Sequence, residues 1–328
     1  MSFRIPTIAP SRRTLLTAGA AAATSIALPI AGFARAPLLA TQNAGWHRFR
    51  IGTFEATVVA DGPLDMGPPD RSFLGFDKSD IDRMLADHFL PADNVRIEQN
   101  ALVVNTGDKL ILFDAGMGSL KLLGPHSGQL VANLRAAGID PAAIDAIVVS
   151  HAHFDHIAGI MADDGKRNFP NAQIYINQAE YDFWTDEAKL STPLKMVVEP
   201  ALKHLKPNRD RVVFFKSGQE FLPGIQAIDA PGHTPGHTAF TITSGGKSMV
   251  FIADLSHHHV LLLERPRARF VFDTDPAQAA ATRVKIFDMI ATDRVPILAY
   301  HFPWPGLGHL AKAGEGYRYI ASPISLLM

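Results

Sequence analysis

Apolar runs that stop at an acidic or imidazole side chain recur along this sequence, and their spacing predicts a mixture of strands and helices. Residues 49–60 and 101–114 read as early strands, with Gly107-Asp108 at a hairpin turn. Within residues 127–137, Leu130, Val131 and Leu134 fall at helical spacing. The β-rich runs 146–149, 174–176 and 225–228 read as short buried strands, and a helix is expected over residues 178–184. Residues 238–243 and 248–253 flank Gly245-Gly246 as a hairpin. Residues 276–290 predict a long helix, with Asp275 placed to cap its first turn.

Ligand-type side chains gather where these runs end. Ser150 leads into His151, Ala152, His153, Phe154, Asp155 and His156, so three imidazoles and a carboxylate fall within six residues. One short segment rarely carries so many groups suited to first-row divalent cations. In an extended or turning segment residues two apart project to the same side, so His151 and His153 can grip one ion while Asp155 and His156 turn toward another. Downstream, the turn-rich segment Pro231-Gly232-His233-Thr234-Pro235-Gly236-His237 offers two histidines, either of them a ligand candidate. The run 250–253 ends in Asp254, where a strand would deliver an oxygen between two cations, and the run 297–300 ends in His301. Asp114 closes the run 110–113 in the same way.

These residues and their order resemble the metallo-β-lactamase superfamily, whose H-x-H-x-D-H signature is met by residues 151–156 and whose later ligands are met by His233, Asp254 and His301. The resemblance extends from about Trp46 to the C-terminus. It implies an α+β fold, a four-layered αββα sandwich, with the ligands at one edge of its two sheets. It further implies that one metal takes His151, His153 and His233, that the other takes Asp155, His156 and His301, and that Asp254 joins both. Asp155 and Asp254 would then be the catalytic carboxylates. His237 falls outside that set, as a turn or supporting histidine, and Asp114 is expected to accept a hydrogen bond from a metal-binding imidazole.

Composition narrows the picture. Ser11, Arg12, Arg13, Thr14, Leu15 and Leu16 precede an alanine-rich, uncharged run to Ala34, which reads as a twin-arginine export signal over residues 1–36. Cleavage is expected near Ala34 or Ala36, giving a periplasmic or secreted protein that engages the twin-arginine export machinery; an uncleaved anchor is the weaker alternative. Residues 37–328 are then expected to form a single domain. No cysteine occurs, which excludes disulfides and thiolate ligands. With 31 basic and 32 acidic side chains, no broad cationic surface invites nucleic acid. The sequence does not fix the oligomeric state, a homodimer being one option.

The expected function is a dinuclear-metal hydrolase that activates a bridging hydroxide to open lactones or cleave esters. Zinc is the first expectation for the two divalent ions, with manganese, iron or cobalt as alternatives that the same ligands suit. Within the superfamily the chain resembles methyl parathion hydrolase and N-acyl-homoserine lactonases, through segments such as residues 104–107, 169–172, 182–184 and 306–309. That similarity makes Trp184 a candidate pocket aromatic. Leu123 stands where the organophosphate hydrolase has a phenylalanine, and His257, His258 and His259 follow Asp254 where that enzyme is apolar. A small lactone or ester with an apolar portion is therefore expected before an organophosphate, and His257 is a candidate for the pocket border. The alternatives are a β-lactamase or thioesterase of the same fold, and a non-catalytic metal-dependent binding protein.

Overall fold

Strands of the first half pair in the order in which the chain makes them. In the computed structural model, which describes residues 38–325 except residue 40, the first sheet holds seven strands. They are β1 (Trp46–Ile51), β2 (Phe54–Ala60), β3 (Asn100–Asn105), β4 (Leu110–Phe113), β5 (Ala146–Val148), β6 (Gln173–Asn177) and β7 (Val212–Phe215), in that spatial order. The pairs from β1 to β4 are antiparallel, and those from β4 to β7 are parallel. The parallel pairs need long crossovers, which carry α2 (Leu130–Ala136), α3 (Phe154–Ile157), α4 (Gln178–Trp184) and α5 (Lys195–His204). The short helix α1 (Lys78–Asp87) lies between β2 and β3.

The second half repeats the logic. Its sheet runs β8 (Glu220–Leu222), β9 (Ile225–Asp229), β10 (Thr238–Ser244), β11 (Lys247–Ala253), β12 (Ile297–Ala299), β13 (Leu307–Ala313) and β14 (Gly316–Ala321). Only β11 and β12 are parallel, and α6 (Leu261–Glu264) and α7 (Pro276–Asp293) fill their crossover. Asp275 caps α7 by accepting from the Gln278 N–H at 3.0 Å.

Strand β11 shows how the layers stack. Met249, Phe251 and Ala253 join the core between the sheets, where Phe251 and Phe240 meet Phe113 of the opposite sheet with ring centroids 5.5 Å apart. Val250 and Ile252 point the other way, into a second cluster with Ile286, Phe287 and Ile290 of α7. From Met249 onward the strand is buried on both faces, so its sequence there is a continuous apolar run rather than an alternating one. These two facing sheets with helices packed on them are the expected α+β architecture.

Direction matters most for function. Strand β9 is antiparallel to β10, and β10 to β11, so β9, β11 and β12 all point the same way; β4, β5 and β6 do likewise in the first sheet. Each run that ends in a ligand-type side chain therefore ends at a strand's carboxyl end, as open sheets place their sites.

Several elements depart from the sequence reading. Helix α2 begins only at Leu130, because the N–H groups of Gly128 and Leu130 are drawn onto the Asp61 carboxylate at 3.1 and 2.7 Å. Helix α7 runs on to Asp293 and stops where Arg294 turns left-handed at φ 54°. Helix α5 carries Pro200 in its interior, which hid its helical pattern. No helix among the described residues is long and apolar enough to cross a membrane. The twin-arginine segment at residues 1–36 lies outside the described residues.

Candidate metal centre

Two short left-handed kinks turn carboxylates into one place. Asp114, directly after β4, has φ 60°, and Ala253, the last residue of β11, has φ 45°. Such backbone is costly for residues other than glycine and clusters at functional sites. The kink at Ala253 swings Asp254 out of the ladder. The His237 ring then holds it, with Nε2 accepting from the Asp254 N–H at 3.1 Å and Nδ1–H donating to Ala230 O at 2.9 Å. Both nitrogens of His237 are thereby used, so it supports Asp254 and is not a free donor.

Around Asp254 the candidate ligands form two adjoining groups. His151, His153 and His233 present donor atoms within 4.8 Å of one another, and so do Asp155, His156 and His301. His233 Nε2 and His153 Nδ1 converge to 3.0 Å. The Asp254 carboxylate touches both groups, with Oδ1 3.2 Å from His156 Nε2 and Oδ2 3.2, 3.4 and 3.6 Å from the Nε2 atoms of His301, His233 and His151. All seven residues are buried.

The outward-facing ring nitrogens are tied to the scaffold. His156 Nδ1–H donates to Asp114 Oδ2 at 2.8 Å, His233 Nδ1–H to Asp273 Oδ1 at 3.0 Å, and His301 Nδ1–H to Glu98 O at 2.8 Å. Ser150 clasps the other face of Asp114 through its N–H and Oγ–H at 2.8 and 2.7 Å. Below the loops, Glu180 of α4 accepts from the Ala152 N–H and the Gly236 N–H, both at 2.8 Å, so one carboxylate staples the His151–His156 loop to the His233–His237 loop. A side chain at Gly236 would collide with that residue, its Cβ falling 2.5 Å from Glu180 N. Tyr300 donates to Asp155 O at 2.8 Å and lays its ring 4.2 Å from that of His156. Neither Glu180 nor Asp273 stood out in the sequence, since each is an isolated acid away from the histidine segments.

Burial drives the His151 and His153 imidazoles well below their ordinary range, favouring the neutral form that binds metal. Burial also works against charge on His156, but Asp254, Asp155 and Asp114 together overcome it and raise its pKa. At Asp254 burial is outweighed by His156, His301, His151 and His257, which hold the carboxyl well below its usual range.

The donor set fits divalent cations. His151 Nε2, His156 Nε2 and Asp254 Oδ1 are buried and have no hydrogen-bond partner, although buried polar atoms normally find one. Nitrogen and carboxylate donors without thiolate suit zinc and its first-row neighbours.

A narrow cleft opens above the cluster, lined on one side by His153, Asp155, His233, Asp254, His257 and His301. Its apolar walls include Leu64, Met66, Leu123, Phe270 and Phe272. His257 borders the cleft, donates to Asp254 Oδ2 at 2.9 Å and stacks on Phe270 at 3.7 Å. Leu123 reaches the cleft too. Trp184 does not line it: its ring is fully buried and meets His153 edge-on at 5.3 Å. His258 is turned away, accepting from the N–H groups of Val260 and Leu261 at 3.1 Å.

The profile described as the metallo-beta-lactamase superfamily matches residues 95–301, a span holding every candidate ligand. The chain belongs to the metallo-beta-lactamase superfamily. A curated relative, the N-acyl homoserine lactonase of a Bacillus species, is 27% identical over 157 residues, covering 48% of this chain and 56% of the relative. The chain thus spans about half the length of that relative. Among solved structures, AidC, a dizinc quorum-quenching lactonase bound to a product, is 30% identical with a TM-score of 0.81, covering 86% of this chain and 98% of the other. AbOPH, a hydrolase in the beta lactamase superfamily, is 32% identical with a TM-score of 0.80, covering 87% of this chain and all of the other, 100%. Against this superfamily background the buried histidine and aspartate groups suit two divalent metals.

Proposed function

We propose that the protein is a metal-dependent hydrolase that opens lactones or cleaves esters carrying an apolar portion. His151, His153 and His233 would hold one divalent cation, Asp155, His156 and His301 would hold a second, and Asp254 would serve both; zinc is the expected ion. The observation that carries this reading is the Asp254 carboxylate, buried at the floor of the cleft and in contact with imidazoles of both groups.

When bound, two such cations polarise a carbonyl or phosphoryl oxygen and make a shared water acidic enough to ionise near neutral pH. The chain's own residues do the rest. His237 and the kink at Ala253 fix the height of Asp254, and the His257 Nε2–H keeps its carboxylate turned toward the cluster. Asp114 and Asp273 fix the planes of His156 and His233. Leu64, Met66, Leu123, Phe270 and Phe272 exclude water and seat an apolar group beside the reacting centre.

The likeness to a dizinc lactonase solved with product supports a lactone as the first substrate to test. Phosphotriesters are a side activity on this reading, because the same oxygen chemistry applies while residue 123 adds no aromatic ring to the wall. Export through the twin-arginine route, read from Arg12 and Arg13, places that activity outside the cytoplasm; a reporter fused to residues 1–40 should lose export when both become lysine.

The decisive experiment assays metal-analysed protein against lactones, aryl esters, phosphotriesters and β-lactams. Lactone or ester turnover that disappears on chelation and returns with zinc is expected. Opening of β-lactams alone would overturn the substrate class, and binding without any product would make the protein a metal-dependent binder instead.

A further inference from the structure

Arg283 of α7 is 1% exposed, a burial that arginine almost never reaches without a specific partner. Its Nε donates to Leu255 O at 2.6 Å, and its Nη1 donates to Pro266 O and Ala268 O, both at 2.9 Å. Its Nη2 lies 3.7 Å from Asp273 Oδ2. Asp273 in turn accepts from His233 Nδ1 through Oδ1 and from the Phe270 N–H through Oδ2, at 3.0 and 3.1 Å. One guanidinium therefore ties together the residue after Asp254, the segment leading to the Phe270 wall, and the carboxylate behind His233. An apolar side chain of similar volume would fill that space without the cost of desolvating a charge, so packing alone does not account for arginine here.

We propose that Asp273 and Arg283 form a positioning pair that fixes the imidazole plane of His233 and thereby sets the affinity of the His151, His153 and His233 group for its cation. The inference rests on the metal-centre reading above. His156, in the other group, is oriented by a different carboxylate, Asp114, whose other hydrogen-bond donors are the N–H and Oγ–H of Ser150, so the Asp273 and Arg283 pair does not reach it. Removing the Asp273 support should loosen one ion and leave the other.

The test uses the full chain loaded with zinc, dialysed against graded chelator and followed by zinc content, with thermal unfolding of loaded and stripped protein alongside. The variants are Asp273→Asn and the double variant Asp273→Asn with Arg283→Met, in which no buried charge is left without its partner. In both, one zinc equivalent should leave at about 10- to 100-fold lower chelator than in the wild type while the second stays, as outer support of a ligand commonly contributes. The stabilisation conferred by zinc should shrink, with the stripped double variant melting near stripped wild type. Wild-type retention of both ions in either variant would overturn the pairing, and so would a double variant that unfolds regardless of zinc, since the pair would then be a core element. A wild type that binds no zinc would instead defeat the metal-centre reading itself.

Discussion

Asp114 Oδ2 stands 2.8 Å from His156 Nδ1, while Ser150 Oγ lies farther from that imidazole nitrogen, at 3.5 Å. The contact fixes which ring nitrogen faces Asp254 and raises its basicity. An Asp114→Asn side chain would turn an amide toward the donors of Ser150 and His156. Metal analysis against a competing chelator should show one ion bound about 10- to 100-fold more weakly. Unchanged affinity would make Asp114 only a strand-end brace.

Asp254 is the point shared by both groups, so its loss cannot be confined to one cation. Asp254→Ala should bind neither ion under conditions that load the wild type and should lose nearly all turnover. It also frees His257 Nε2, which has Asp254 as its hydrogen-bond partner. Wild-type metal content in that variant would contradict the shared role.

Ala253 is held at φ 45° at full burial, a conformation that glycine adopts freely and a β-branched residue resists. Ala253→Gly should leave the melting temperature near wild type. Ala253→Val should lose about 1–3 kcal/mol of stability from backbone strain, with crowding adding to it. Chemical denaturation of both variants checks the ordering, and a valine as stable as glycine would show that the kink carries no strain.

Much of this arrangement was legible in the sequence because strand periodicity and ligand chemistry coincide. Where an apolar run ended at Asp114, His151, Asp254 or His301, the strand direction brought the ends to one edge, and the hairpin at Gly245-Gly246 could be read from its turn residues. What could not be read was support at long range. Glu180 and Asp273 act through contacts with residues 28 and 40 positions away, and no local pattern announces them. Trp184 shows the opposite limit: its place at the end of a helix was visible, but its burial beneath His153 is set by tertiary packing. The late start of α2 has the same origin, since Asp61 captures its N-terminal amides from another element.

His204, on α5 and remote from the cleft, supplies a pH test of the fold. Burial pushes its pKa down to about 4, with Lys203 adding to the effect, and its Nδ1 accepts from the Met161 N–H at 3.3 Å. The folded protein resists protonating this ring, while the unfolded chain takes up the proton near the ordinary histidine value of 6.5. Unfolding therefore gains protons between those values, so stability is fully present above about pH 6.5 and is lost as the pH falls toward 4. The loss from this group is on the order of 3 kcal/mol, at 1.36 kcal/mol per pKa unit. His204→Asn keeps an acceptor for Met161 but cannot titrate in this range. Urea midpoints at pH 7 and pH 4.5 should fall less for the variant than for the wild type; equal falls would assign the acid sensitivity to other groups.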